Sequence, residues 1–548
     1  MRRPTVLLAV SVVLAAACSG PSTPDGPRAG DGRTGGTGQG TPVAAGPFVR
    51  MICEDIPRAY LLRVWRGYRA DRSGDIQFIP DFPHYVGTFA AHSGPWPYLQ
   101  EVPMLFFGPG HVSSVGTVTR HATMADVAPT LAKHLRFDFA APDGSPLREA
   151  VEPGADPPKL ILTLVWDGGG RDVLDAYPDA WPNLRSLMSR GAWYENFTVG
   201  SSPSVTPSIH SSLGTGAFPR HHGIVDLRFR FQGGLDPSAF QRATRLLLPA
   251  LGDEYDQSEG NAALVGMVGA EGTLGMIGRG AEYPGGDQDL AAGQRAGVWG
   301  LSGYNKQIYD FPEYVREVPG LESSIRQVDL SDGRADGLWY GDLDLSDADA
   351  RTLTPGYARY QTRVVAEIIR REGFGADDTP DLLYVNYKQI DKVGHKYSFP
   401  SPQMEAAVAS SDDALGDLIR ILNREVGEGE WVLALTADHG STPKPETTGA
   451  TIIGNFELEK EIRAAFDGDG DGRDVLGSMR VTQFWLNTPE LEQNGYTVED
   501  VARFVANYTG ELNAQNPTAL TEAQRQERLM AAAFPGYVLE NPPCLPGG

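Results

Sequence analysis

Asp167, Asp391, His395, Asp438 and His439 stand in three short phrases, VWDGGG, NYKQIDKVGH and LTADHG. Carboxylates and imidazoles together suit a hard-to-borderline divalent metal such as zinc. Two such metals side by side supply the chemistry of phosphoryl transfer. The flanking residues say how these groups are positioned. Each phrase closes an apolar, β-branched run: LILTLVWD, DLLYVNYKQID and WVLALTADH. Such runs read as buried strands of a parallel sheet. Open α/β sheets collect their ligands at the carboxyl ends of the strands. The expected fold class is therefore α/β, a doubly wound, mostly parallel sheet with helices on both faces.

A hydroxyl joins this set. The segment GSSPSVTPSIHSSLGTGAFPRHHGIVD follows the first strand and a helix, PNLRSLMSRG. Thr206 precedes Pro207, and SIHSSLG reads as a short helix with Thr206 as its N-cap. A hydroxyl there lies at the positive end of the helix dipole, where an alkoxide and a phosphate are both stabilised. A bound metal would lower its pKa and make it a nucleophile. Taken alone, the segment reads rather as a capped helix without chemistry, since Ser/Thr–Pro caps are common.

With 548 residues, 41% of them hydrophobic, the chain can bury a large core. The net charge of -23 argues against a nucleic-acid-binding face, though not against an anionic substrate at a metal site. Arg2 and Arg3 precede an apolar stretch, Val6 to Ala17, that is too short to span a bilayer. Residues 1–18 read as a secretory signal ending at a lipoprotein box, with Cys18 as the lipidated residue. Residues 19–47, rich in Gly, Pro, Thr and Ser, read as a disordered tether. The expected product is exported and lipid-anchored on the outer face of a bacterial cell membrane, touching the membrane through its lipid only. Of the remaining cysteines, Cys53 and Cys544 either pair as a disulfide that pins the ends of the globular part or stay as two isolated thiols.

The order of Asp167, then Thr206 with HSSLGTG and HHGIVD, then DKVGH, then ADHG resembles the alkaline phosphatase superfamily. It is most similar to the type I phosphodiesterase/nucleotide pyrophosphatase branch. Thr206, His210, Thr215 and Gly216 keep the spacing of that family's nucleophile segment. The resemblance covers most of the chain after Lys159. It implies an alkaline phosphatase-like sheet and two zinc ions, other divalent metals being alternatives. Asp167, Thr206, Asp438 and His439 would hold one; Asp391, His395 and one further histidine would hold the other. Thr206 would attack phosphorus and form a phospho-threonine, which water then hydrolyses.

In that family the last histidine ligand follows the DHG phrase, and here no histidine occurs after His439. The N-terminal part carries the matching phrases instead: RSGD, then AAHSGPWPY with His92, then VPMLFFGPG, then MADVAPTLAKHL with Asp126. In relatives these close the domain. The resemblance therefore implies a circular permutation with His92 as the seventh ligand. Residues 48–139 would correspond to the family's C-terminal portion, 140–159 to a joining loop, and 160–548 to its N-terminal and central portion, all within one catalytic α/β domain, 48–548. Permutation needs ends that lie close together, so the Cys53–Cys544 pairing gains a structural reason.

After HHGIV the relatives carry an Asn that holds a phosphate oxygen, and here Asp226 and Leu227 stand there. Arg228 and Arg230 are the candidate replacement donors. The segment where phosphomonoesterases carry a Lys/Arg pair has only Arg279. That favours a phosphodiester or nucleotide pyrophosphate over a monoester. An extracytoplasmic phosphomonoesterase, and a non-catalytic surface lipoprotein with a degenerate site, are the alternatives; the oligomeric state is open. Asp467, Asp469 and Asp471 alternate as in a calcium loop, with Ser478 where a bidentate Glu belongs. The loop reads as a Ca2+ site or as a solvated acidic turn. The stretch from Trp299 to Tyr340 reads as a cover over the sheet, and Thr497 to Ala533 as a helical tail.

Overall fold

A computed structural model describes residues 46–87, 92–236 and 241–545. The signal, Cys18 and nearly all of the tether lie outside the described residues.

The three apolar runs form the middle of a nine-stranded sheet. From edge to edge its strands are Val298–Trp299, Leu290–Arg295, Val265–Ala270, Asp381–Tyr387, Leu160–Trp166, Trp431–Thr436, Met104–Phe107, Ala192–Tyr194 and Gly116–Val118. The five strands from Leu290–Arg295 to Trp431–Thr436 are mutually parallel. Met104–Phe107 then runs antiparallel between Trp431–Thr436 and Ala192–Tyr194. The three motif-bearing strands are buried along their whole length, as uninterrupted apolar sequence requires where both faces are covered. Helix Pro402–Glu425 connects two of them; Ser401 caps it by accepting the Met404 N–H, and Pro402 occupies its first turn.

A second sheet was not foreseen. Leu476–Arg480, Gln483–Leu486, Ile76–Pro80 and Met530–Pro535 form a four-stranded antiparallel sheet with a hydrophobic cluster of its own. The expected helical tail is helical at Val498–Ala506, where Thr497 and Asp500 make a capping box. Its last part, Met530–Pro535, is a strand paired with Ile76–Pro80. The alanines favour helix locally, but a partner strand and a shared core decide the outcome. Cys53 and Cys544 are bonded at the foot of this cluster, with 5.8 Å between their Cα atoms.

Candidate active site

The carboxyl ends of the parallel strands meet the start of helix Thr206–Thr215. Asp167 follows the strand Leu160–Trp166, and its N–H bonds the Tyr387 carbonyl of the neighbouring strand. The next residue, Gly168, has φ +74°, and a Cβ there would come within 2.8 Å of the Asp391 Cα. Only glycine allows these two strand ends to approach so closely.

Two groups of donors result. Asp167, Asp438 and His439 form one, and His92, Asp391 and His395 the other; within each group the ligand atoms lie within 4.8 Å of one another. The groups adjoin. His439 Nε2 is 3.5 Å from Asp167 Oδ1, 3.3 Å from Asp438 Oδ2 and 3.8 Å from Asp391 Oδ1. Asp391 Oδ1 is 3.6 Å from His92 Nε2 and 3.3 Å from His395 Nε2. The His92 ring stacks on His439 at 3.6 Å. Six of the seven expected ligands are thus gathered here, and His92 arrives from a part of the chain 299 residues before Asp391 (391 − 92).

Backbone contacts set the histidine tautomers. His92 Nδ1 faces the Ser204 carbonyl at 3.0 Å and His439 Nδ1 faces the Gly440 carbonyl at 2.9 Å. A carbonyl only accepts, so each Nδ1 carries the proton and each Nε2 presents a lone pair to the carboxylates. Burial lowers His92 well below its ordinary value and His439 to about 4, so both are neutral, the form that ligates a metal.

Thr206 supplies the seventh position. It is the first residue of the helix, and the N-cap position belongs to Val205. Its Oγ1 accepts from Lys388 Nζ at 2.8 Å. Lys388 is the functional residue that the sequence reading missed. Its ammonium also lies 2.6 Å from Asp167 Oδ1 and 2.9 Å from Asp391 Oδ2. Burial opposes its charge, but Asp167, Asp391 and Asp438 outweigh that and raise its pKa. The signal was present: a lysine three residues before Asp391 on the same helical turn. Asn386 was missed as well; it donates to Asp167 Oδ2 at 2.8 Å and lies 3.2 Å from His210 Nε2.

These residues fit divalent metals. Three buried carboxylates face one ammonium, which leaves an excess of negative charge in a low-dielectric place. Burial first, and then Asp438, raises Asp167 to about 6. Asp438 Oδ2 and His439 Nε2 are buried without a hydrogen-bond partner. A bound cation satisfies both.

The site opens into a cavity of about 920 Å3. Thr206, Lys388 and His395 line it together with the apolar Leu227, Trp299 and Leu301. The candidate phosphate donors Arg228 and Arg230 do not line it. Arg228 bonds Ser478 Oγ at 2.7 Å, and Arg230 pairs with Asp75. The arginines at the cavity are Arg295 and Arg480. Arg279 is turned onto the Tyr283 ring. The acidic turn at Asp467 gathers Asp469, Asp471 and, in place of Ser478, Glu490 from helix Thr488–Gln493. Arg473 already lies among them, 2.6 Å from Asp471 and 3.0 Å from Glu490.

A sequence model of the family described as Type I phosphodiesterase / nucleotide pyrophosphatase matches residues 161–543. The chain belongs to this family and is a hydrolase of phosphoric esters. The chain is 22% identical to "Alkaline phosphatase PafA" of Elizabethkingia meningoseptica over 399 residues, 64% of this chain and 72% of that protein. A protein of Myroides odoratus named "Calcium-transporting ATPase" is 22% identical over 409 residues, 63% of this chain and 72% of that one. "Alkaline phosphatase PhoV" of Synechococcus elongatus is 22% identical over 341 residues, 53% of this chain and 60% of that protein. Among solved structures, wild-type alkaline phosphatase PafA superposes with a TM-score of 0.52 at 18% identity, covering 69% of this chain and 84% of that one. That likeness shows a shared fold.

Proposed function

We propose that this protein is a two-metal phosphodiesterase or nucleotide pyrophosphatase in which Thr206 is the nucleophile. The observation that carries the reading is the Thr206 hydroxyl on the wall of a cavity, held by Lys388, whose ammonium also pairs with one carboxylate of each donor group. Asp167, Asp438, His439 and Thr206 would hold one zinc, and Asp391, His395 and His92 the other. When bound, such ions stabilise the charge that develops on the attacking and leaving oxygens. Lys388 holds the Thr206 oxygen in place and favours its anionic form. That oxygen attacks phosphorus, the leaving group departs opposite it, and water then cleaves the phospho-threonine. Arg480 and Arg295 are placed to meet the anionic remainder of a substrate, and Trp299 to meet a flat or apolar one.

The preference for a diester over a monoester rests on the cavity. It is large for a bare phosphate and suits a ligand of nucleotide size. The strand end at Ala270, Glu271 and Gly272 brings no cation of its own to the cavity; the Glu271 carboxylate is turned to Arg295 at 3.2 Å. The test is a substrate panel on the zinc-loaded protein. Turnover of an aryl phosphodiester and a dinucleotide pyrophosphate should exceed that of the matching monoester. A monoester preference would make it a phosphomonoesterase; turnover of neither class, with fewer than two bound ions, would make it a non-catalytic surface protein.

The permutation belongs to the same reading. It is supported by the place of Met104–Phe107 beside Trp431–Thr436, and by the meeting of Cys53 with Cys544. Export and lipidation at Cys18 rest on the sequence; among the described residues no helix is long and apolar enough to cross a membrane.

A further inference from the structure

Carboxylates also crowd together at the opposite end of a core strand. Asp256 lies on helix Leu251–Ser258, Asp287 in the loop after the short helix Gly280–Glu282, and Asp289 directly before strand Leu290–Arg295. One carboxylate oxygen from each lies within 4.8 Å of the others. Asp256 and Asp289 are buried, at 4% and 7% exposure, while Asp287 is open to solvent. Among the described residues no lysine or arginine pairs with any of the three, and the Asp289 carboxylate receives no hydrogen bond. Its charged surroundings are Asp253, Asp256 and Asp287, all of one sign. Asp256 Oδ1 is buried without a partner, and so is Asn261 Oδ1 in the turn that follows the helix; the Asp256 carboxylate is otherwise met by the Ala263 backbone N–H and by the Asp287 carboxyl.

An anion buried to this extent without a counter-charge is costly, because the desolvation penalty has nothing to offset it. Elsewhere the molecule supplies the counter-charge: Lys388 among the site carboxylates and Arg473 beside Glu490. Here the described residues supply none. Three hard oxygen donors, an opening to water at Asp287 and no nitrogen or sulfur ligand select a hard cation. The irregular loop that carries Asp287 suits the larger and less demanding coordination of Ca2+ over the strict octahedron of Mg2+.

We infer that Asp256, Asp287 and Asp289 form a Ca2+ site, separate from the catalytic centre. The strand that begins after Asp289 ends at Gln294 and Arg295 on the cavity wall, about 20 Å further along. The ion is therefore structural. It ties the Tyr283–Asp289 loop to helix Leu251–Ser258 and anchors the strand that presents Arg295.

The test is the melting temperature of the zinc-loaded full chain against CaCl2, up to about 10 mM. It is run in an Asp469→Asn background so that the acidic turn does not contribute. The expected result is a saturable rise with a midpoint of about 10⁻⁴ to 10⁻³ M. Asp289→Asn and Asp287→Asn should each weaken that midpoint at least about tenfold. Both variants remove a repulsion, so both should fold. An unchanged midpoint in the two variants would overturn the assignment. So would the absence of any Ca2+ response, which would mean that a shared proton, not a cation, holds the three carboxylates together.

Discussion

Two clusters of three carboxylates, each with at least two buried members, are built in opposite ways. Asp167, Asp391 and Asp438 meet at strand ends with Lys388, His92, His395 and His439 around them. Asp256, Asp287 and Asp289 meet among acids, with the Ala263 backbone N–H and, among the described residues, no basic side chain paired to them. The first group holds its own charge partly in balance, so the catalytic site proposed there would keep its fold while metal, substrate and product exchange. The second depends on something from solution, a cation or a proton. Internal compensation therefore separates the two clusters.

The largest effect should come from Thr206→Ala. It removes the attacking oxygen and no charge. Turnover of a phosphodiester should fall by about 10⁴-fold or more, with zinc content by mass spectrometry nearly unchanged. Residual turnover within about tenfold of wild type would remove Thr206 from the nucleophile role.

Lys388→Met attacks the compensation itself. Without metal, three buried carboxylates lose their only ammonium, and the chelated protein should lose about 3 kcal/mol of stability. With zinc bound the loss should be much smaller, because the ions carry the missing charge. Zinc affinity, measured by chelator competition, should rise. Equal destabilisation with and without zinc would show that Lys388 acts by packing and not by charge.

His92→Ala should cost one of two ions and on the order of 100-fold in zinc affinity at that position. Two tightly held ions in this variant would sever the N-terminal segment from the site, and with it the permutation.

The contrast also explains what was legible in the sequence. Strand-end phrases are local: an apolar run, then Asp167, Asp391 or Asp438, so periodicity alone located them. Lys388 shares a phrase with Asp391, yet a lysine near an acid is usually a solvated pair, and only burial made it part of the site. His92 needed the family pattern, because nothing local ties it to a partner far along the chain. Arg480 was invisible, since the antiparallel sheet that presents it draws strands from both ends of the chain. Asp256, Asp287 and Asp289 sit in a helix and a polar loop, where acids are ordinary. Their burial is a tertiary fact that no spacing encodes.

The smallest effect is the most specific to the second cluster. Burial first, and then Asp287, raises Asp256 to about 7 in the folded protein. In the unfolded chain an aspartate titrates near 4, roughly. Between these values the Ca2+-free folded protein binds a proton that the unfolded chain does not, so stability should increase as pH falls from about 7 towards 4. Asp253, Asp287, Asp289 and Tyr255 face this group, and Asp287 is the exposed one whose removal leaves the packing intact. Asp287→Asn should therefore flatten the acid-side gain in melting temperature by on the order of 2 °C. Raised groups away from the cluster, Asp167 among them, titrate alike in both proteins and cancel in the difference, whereas Asp289 also feels Asp287 and adds to it. With saturating Ca2+ the sign should reverse in the wild type, because protons then displace a bound ion. An identical pH dependence in wild type and Asp287→Asn would show that the three carboxylates do not share a charge, and the contrast between the two clusters would fail at its second member.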